Sequence, residues 1–454
     1  MKKNEILTGS IWKQILVFFF PILIGSFFQQ LYNMVDTIVV GQYVGTHALA
    51  AVGTTGSVIS LIVGFFIGIA SGATVIISQY YGAGDEEMMS RAVHTAIAFS
   101  LVSGLCIMVI GFSTARPIMK AMNVPEEILD DSVLYMTVYY AGIIGNLIYN
   151  IGTGILRAVG DFKRPLYILI VCCLVNIVLD LVFVLVFHWA VFGVAFATIL
   201  SQLVSAILII LCLLKTKDMY HLSIRKIRFY RIELKEIIRI GLPTGMESVL
   251  YSISNMAMQA AINGFSTAAI AAWSAIGKVD SVMWMVMQAF GISISTFVGQ
   301  NFGARQYSRV KQGVRIGTAM NFAGILAISI IIYAFCPFFL HIFTSDSEVV
   351  RLGTGFLRIF APAYVFYVFI NALSASIRGC GESVQPMIVT VFGICGLRIL
   401  WLVVALPLHH TMNMVALSYD VSWVITAIIF IIYYLRGRWF TRCKNRQGFE
   451  PGQA

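Results

Sequence analysis

Charge is what this sequence has least of. Only 11% of its 454 residues are Asp, Glu, Lys or Arg, against about 25% in an average soluble domain. So few cannot cover a water-exposed surface of this size. Soluble, disordered, collagen-like and coiled-coil readings are excluded. Metal and redox signals are also scarce. The eight cysteines form no CxxC pair, and Cys106, Cys172, Cys173, Cys212, Cys336 and Cys395 sit in apolar runs. Neither HExxH nor GxSxG occurs, and the seven histidines fall at helix ends or in loops. An intramembrane enzyme needs a nucleophile with its base, or metal ligands, at one depth, and finds none. The first apolar run lacks the small-residue pattern of a cleaved signal peptide.

What is present is apolar length. Hydrophobic residues make up 59% of the chain, and the runs far exceed what a membrane strand needs. The expected fold class is an all-α membrane protein of twelve spanning helices. The segments are 12–40, 47–79, 91–114, 131–156, 165–187, 190–214, 234–263, 268–301, 311–340, 350–377, 386–407 and 412–436. Most of the 31 Lys and Arg lie at the start, in alternate loops or in the tail. The net charge of +10 therefore reads as the positive-inside signal, with both termini cytoplasmic, rather than as a nucleic-acid surface. The densest basic run is Lys215 to Arg239.

The halves of the chain repeat at an offset of 221 or 222 residues. Pro21 matches Pro243, and Asn33-Met34 matches Asn255-Met256. Gln79-Tyr-Tyr-Gly-Ala83 matches Gln300-Asn-Phe-Gly-Ala304, and Asn150 matches Asn371. Arg157-Ala-Val-Gly160-Asp161 matches Arg378-Gly-Cys-Gly381-Glu382. Six helices per half give both halves the same topology, a parallel repeat of the kind found in transporters that rock two lobes about a central site. The expected domains are a lobe at 1–214, a basic cytoplasmic linker at 215–233, a second lobe at 234–437 and a tail at 438–454. Gly64, Gly68 and Gly72 recur four apart, which lets a second helix approach closely. Pro21 with Gly25, and Pro243 with Gly245, predict kinks in the first and seventh helices, with Pro21, Gly25 and Pro243 as hinges.

Ionisable residues at lipid depth cost roughly 2.5–3.5 kcal/mol each on insertion scales and so need a reason. They are Asp36, Asp180, Glu247, Lys278, Asp280, Arg398 and Asp420. The first half holds two acids and no base, so its acids need a proton or a cation. Asp36 and Asp180 lie in the outer halves of outward-running helices. Asn176 is one turn from Asp180, and Thr198 reaches the same level on the returning helix. Two carboxylates, an amide and a hydroxyl at one depth suit H+ or Na+. Gln29 and Asn33 continue a polar stripe below Asp36. In the second half, Glu247 is expected to pair with Arg398 or Lys278, or to touch substrate. Met283 and Met287 belong to a Met-rich stretch that could line a cleft.

These residues carry a resemblance. Asn33-Met-Val-Asp36-Thr37-Ile-Val-Val-Gly41, followed by Ala48-Leu-Ala-Ala51, the Gln…Gly-Ala helix ends and the paired Arg-x-x-Gly loops together resemble the multidrug and toxic compound extrusion family. The resemblance covers essentially the whole chain. It implies a two-lobe antiporter of the bacterial plasma membrane that exports cationic, amphipathic compounds against inward H+ or Na+. No cofactor is implied, and a monomer in the lipid bilayer is expected. The family's cation site falls on Asp36, Asn176, Asp180 and Thr198. Substrate contacts are expected among Gln29, Asn33, Asn150, Glu247, Asn255, Met283, Met287, Asn371 and Arg398. The stretch Ser252 to Met258 carries no acid where the NorM branch has one, which places the chain nearer the DinF-like branches. The rival within the superfamily is a flippase of lipid-linked precursors, which needs a basic cavity.

Overall fold

The computed structural model describes residues 5–409 and 411–446. Lys2, Lys3 and the last eight positions of the expected tail lie outside them. Among the described residues the secondary structure is helical throughout. The long helices are α1 (Ile11–Val39), α2 (Thr46–Ala83), α3 (Glu86–Ala121), α4 (Glu126–Ala158), α5 (Lys163–Leu181) and α6 (Ala190–Lys215). The second set is α7 (Arg231–Asn263), α8 (Thr267–Gly303), α9 (Tyr307–His341), α10 (Ser347–Gly379), the composite α11 (Val384–Val404) and α12 (Met412–Leu435). A short α13 (Arg438–Arg446) follows. Helices dominate because hydrocarbon offers no partner for a backbone amide, so each segment must satisfy its own.

Among the described residues, eleven of the twelve long helices are apolar and long enough to cross a membrane. The exception is α7, whose first turns carry Arg231, Glu233, Lys235, Glu236 and Arg239. Three π-helical stretches interrupt the regular winding. Val40–Val44 follows α1, Val182–Val186 follows α5, and Val391–Gly396 lies within α11. Such bulges widen a turn and often sit beside functional groups. The helices continue through Pro21 and Pro243. A non-helical residue instead occurs in α9, at Phe335, two positions before Pro337.

The repeated Arg-x-x-Gly motif is a helix stop. Gly160 and Gly381 both take φ of 88°, a region in which a side chain would be strained. Asp161 N–H returns to Leu156 O at 2.9 Å, and Glu382 N–H to Ile377 O at 3.2 Å. These bonds close the last turns of α4 and α10. Arg157 and Arg378 therefore belong to the final helical turns, where a cation suits the helix dipole, rather than to cytoplasmic loops.

The chain divides into two compact units. One is Phe20–Gly245; the other joins the residues up to Phe19 to those from Met246 onward. Both α1 and α7 thus change unit part-way, within three residues of Pro21 and Pro243.

In the Phe20–Gly245 unit, the glycine stripe of α2 meets a second stripe on α7. A Cβ on Gly68 would lie 2.4 Å from Gly245 Cα, and one on Gly72 2.6 Å from Gly241 N. The two backbones touch, which is how small residues replace the missing hydrophobic drive between helices in lipid. The segment after α6 is tied down as well. Ser223 N–H donates to His94 Nε2 at 2.9 Å, and Tyr230 N–H to Thr95 Oγ1 at 3.2 Å.

The other unit is built on rings. Phe19 stacks on Phe290 at 4.2 Å. Phe360, Tyr364, Tyr367, Tyr419 and Trp423 form a continuous aromatic cluster between α10 and α12. Trp439, Phe440 and Cys443 bury one face of α13, and Arg446 bonds Glu382 at 2.8 Å.

Candidate functional site

The Phe20–Gly245 unit collects its lipid-depth polar groups on α1, α4, α5 and α6. Asn176 and Asp180 are completely buried, Thr198 is buried and Asp36 half-buried. The carboxyls of Asp36 and Asp180 are immediate neighbours, close enough to share a proton. No donor reaches Asp36 Oδ1 or either oxygen of Asp180, and both amide atoms of Asn176 lack a partner. None of the ion pairs among the described residues involves either acid. Tyr32 O–H donates to Thr198 Oγ1 at 3.4 Å, and Thr198 donates to Val194 O at 3.1 Å. Tyr135 packs with Val39, Val40 and Val184 in the same region and feels the charge of both carboxyls.

A buried oxygen cluster with no donor is electrostatically incomplete. Two carboxylates side by side cannot both stay charged in a low-dielectric site without a proton or cation between them. The π turns Val40–Val44 and Val182–Val186 begin within one or two turns of these acids. Sequence reasoning missed Tyr32 and Tyr135. The available signal was that Tyr32 stands one turn before Asp36 on the same helical face.

The remaining predicted residues scatter. Gln29, Asn33 and Asn255 are exposed. Asn150 Nδ2 donates to Asn146 O at 2.9 Å and to its Oδ1 at 3.0 Å, a local bond within α4. Asn371 packs against Gly291. Met283 and Met287 are core residues, 0% and 1% exposed. They fill space inside the unit rather than lining a cleft, because their turn of α8 faces inward.

The expected pairing of Glu247 with Arg398 or Lys278 is replaced by another. Arg378 Nη2 donates to both Glu247 oxygens at 2.7 Å. The reason is the helix stop described above, which keeps Arg378 inside α10 and within reach of α7. Lys278 is exposed. Asp280 instead accepts from Trp284 Nε1 at 2.8 Å and from the Tyr364 hydroxyl. Arg398 is completely buried and lies 3.9 Å from the ring centroid of Tyr419. Asp420 Oδ1 has no partner.

A profile of the MatE family matches residues 21–182 and again 243–404. The chain belongs to the MatE family. The two matched segments are one per half, offset as the internal repeat requires. Among named MatE relatives, the probable multidrug resistance protein YoeA of Bacillus subtilis is 28% identical, covering 94% of each chain. The probable multidrug resistance protein NorM of Thermotoga maritima is 26% identical, covering 97% of this chain and 96% of that one. A crystal structure of MATE in the bent conformation superposes with a TM-score of 0.90 at 25% identity, covering 98% of this chain and 99% of that one. The MatE fold is thus a two-lobe, twelve-helix membrane transporter, and the chain is a multi-pass member of it.

Proposed function

We propose that the protein is a secondary antiporter that exports cationic or amphipathic organic compounds in exchange for inward H+ or Na+. The observation that carries this reading is the Asp36–Asp180 pair, buried together without a donor or a base. Either coupling ion completes it: a proton shared between the carboxylates, or Na+ held by Asp36, Asp180, the Thr198 hydroxyl and the Asn176 amide. Binding there removes the negative charge that would hold a cationic substrate, so occupancy by ion and by substrate oppose each other. The names of the relatives YoeA and NorM support drug export. The flippase reading is disfavoured, since no basic cluster accompanies the acids.

Pro21, Gly25 and Pro243 are the proposed hinges. Both prolines interrupt the hydrogen-bond ladder where α1 and α7 pass between units. Pro21→Ala should therefore reduce coupling more than it reduces binding. Exposed Gln29, Asn33 and Asn255 are the proposed substrate-facing amides. The functional division runs as lobes at 1–214 and 234–437 joined by the basic linker at 215–233, with both termini cytoplasmic in a bacterial plasma membrane. The absence of an acid between Ser252 and Met258 supports a place near the DinF-like branches.

The test is accumulation of a fluorescent organic cation in inverted vesicles under separately imposed proton and sodium gradients. Uptake that follows one gradient and collapses with it supports antiport. Uptake indifferent to both contradicts it.

A further inference from the structure

Exposed cations of the second unit gather where α9 begins, and α13 is pinned across that end. Gly437, at φ of 68°, turns the chain directly after α12. Trp439 Nε1 then donates back to Tyr434 O at 3.1 Å. The Phe440 ring meets Phe302, in the last turn of α8, at 5.9 Å and Tyr307, the first residue of α9, at 5.7 Å. Helix α13 therefore lies where the spanning helices end. Its apolar side is spent on the protein, and Arg438, Arg442 and Lys444 stay exposed.

Two ammonium groups share the Phe440 ring. Lys444 Nζ lies 4.9 Å from its centroid and 4.1 Å from that of Tyr307, and Lys311 Nζ of α9 lies 5.9 Å from Phe440. Neither lysine joins an ion pair among the described residues. Their own stretches of chain offer no acid, since none occurs from Ser281 to Ser345 or from Val421 to Arg446. Glu382, which reaches α13, is held by Arg446 at 2.8 Å. An aromatic face offsets part of a cation's charge, but two like charges around one ring still repel. An anion between them removes that repulsion.

The outward face of α9 says what kind of anion. Lys311, Arg315, Ala319 and Ala323 recur every four residues, and all are exposed. Leu326 and Ile330 continue the same face, 37% and 58% exposed. On a helix apolar and long enough to span, such a face meets acyl chains. Here it runs into cations without a break, which matches a molecule apolar along its length and anionic at its end.

We infer that this end of α9, completed by Lys444 of α13, is a headgroup site for an anionic phospholipid of the surrounding membrane. Lys311 and Lys444 receive the phosphate, Arg315 stands one turn along, and an acyl chain lies over Ala323, Leu326 and Ile330. The lipid is a resident ligand that ties α13 to α9, not cargo. The site rests on the membrane-spanning fold and is independent of the antiport reading.

The test uses the full chain purified in neutral detergent, with phosphatidylglycerol and phosphatidylcholine of identical chains titrated by native mass spectrometry. The first copy of phosphatidylglycerol should bind at least tenfold tighter than phosphatidylcholine, and a large excess of inorganic phosphate should not displace it. Lys311→Gln combined with Lys444→Gln should cut the preference at least fivefold, while the two Lys→Arg changes keep it. Lys120→Gln combined with Arg351→Gln removes the same charge from exposed positions on α3 and α10 and should leave the preference intact. Equal affinity for the two lipids on the unmodified protein overturns the inference without reference to any variant. Displacement by inorganic phosphate overturns it in favour of a soluble anion. A preference that survives the Lys311 and Lys444 changes, or falls equally in the control pair, overturns it as well.

Discussion

The two halves of this chain share a helical plan and differ in the sign of what they bury. The Phe20–Gly245 unit buries two carboxylates that no donor reaches. The unit from Met246 onward buries a guanidinium that donates to the Ser422 hydroxyl and is surrounded by rings. At the offset of 222 that pairs Pro21 with Pro243, Met258 stands opposite Asp36, and at the offset of 221 that pairs Arg157 with Arg378, Trp401 stands opposite Asp180. Duplication therefore kept the scaffold and exchanged the chemistry. An acid pair calls for a proton or a small cation, whereas an arginine among rings is offset by their faces. One fold can hold both because the helix ladder is satisfied internally whatever the side chains carry. Packing differs in the same way. The first unit joins α2 to α7 through glycine backbones, whereas the second stacks Phe19 on Phe290.

The largest effect expected from breaking this contrast is on the acids. Asp36→Asn and Asp180→Asn should each reduce gradient-driven export in proteoliposomes to the level of empty vesicles, with protein yield near normal. Full export by either variant would remove that residue from the coupling site.

Next comes the ion pair peculiar to the second unit. Glu247→Gln leaves Arg378 without its carboxylate. The side chains are 22% and 15% exposed, so the loss should be about 1–3 kcal/mol, below the ~3–5 of a fully buried pair. Glu247→Gln combined with Arg378→Gln should melt higher than the sum of the single losses implies. Strict additivity in thermal unfolding would show that the two residues do not act as a pair.

The glycine contact sharpens the packing side of the comparison. Gly68→Ala forces a methyl group onto the Gly245 backbone and should cost about 1–3 kcal/mol. Gly53, on the same helix with nothing within 4 Å of its Cβ position, is the control. Gly53→Ala should be neutral or gain up to about 1 kcal/mol from helix propensity. Equal melting shifts at the two positions would mean that the α2–α7 approach is not backbone-to-backbone.

The smallest effect is at the tether of the linker. His94→Phe removes the acceptor for Ser223 N–H, worth about 0.5–1.5 kcal/mol. Hydrogen exchange should rise across residues 216–230 while export persists. Unchanged exchange there would show that the bond does not hold the segment.

Much of this was legible in the residues. Hydropathy and the repeat gave the two-lobe helical plan, because in lipid an apolar run of span length has one stable form. Charge balance singled out Asp36 and Asp180, since an acid without a base stands out in so apolar a chain. The glycine stripe on α2 was visible, but its partner was not. Gly245, two residues after Pro243, read as part of a kink, and Gly241 carried no signal of its own. Arg378 read as a loop cation because positive charge near a helix end is the ordinary cytoplasmic signal. The Gly381 turn that keeps it helical, and so beside Glu247, depends on a φ value that the sequence does not print. Tyr32 and Tyr135 were passed over because tyrosines are common on membrane helices, and only their place beside Thr198 and the acids distinguishes them. The inward turn of Met283 and Met287 likewise depends on the rotation of α8, which the adjacent run Val282–Val286, apolar on every face, leaves unspecified.

The most direct measurement is the affinity of purified protein for a fluorescent organic cation, titrated against pH without sodium and against sodium at high pH, in the unmodified protein and in Asp180→Asn. If the carboxylate pair exchanges substrate for a coupling ion, affinity weakens as that ion rises, and the dependence disappears in Asp180→Asn. An affinity that ignores both ions in the unmodified protein, or a dependence that survives in Asp180→Asn, would contradict the role given to the acids.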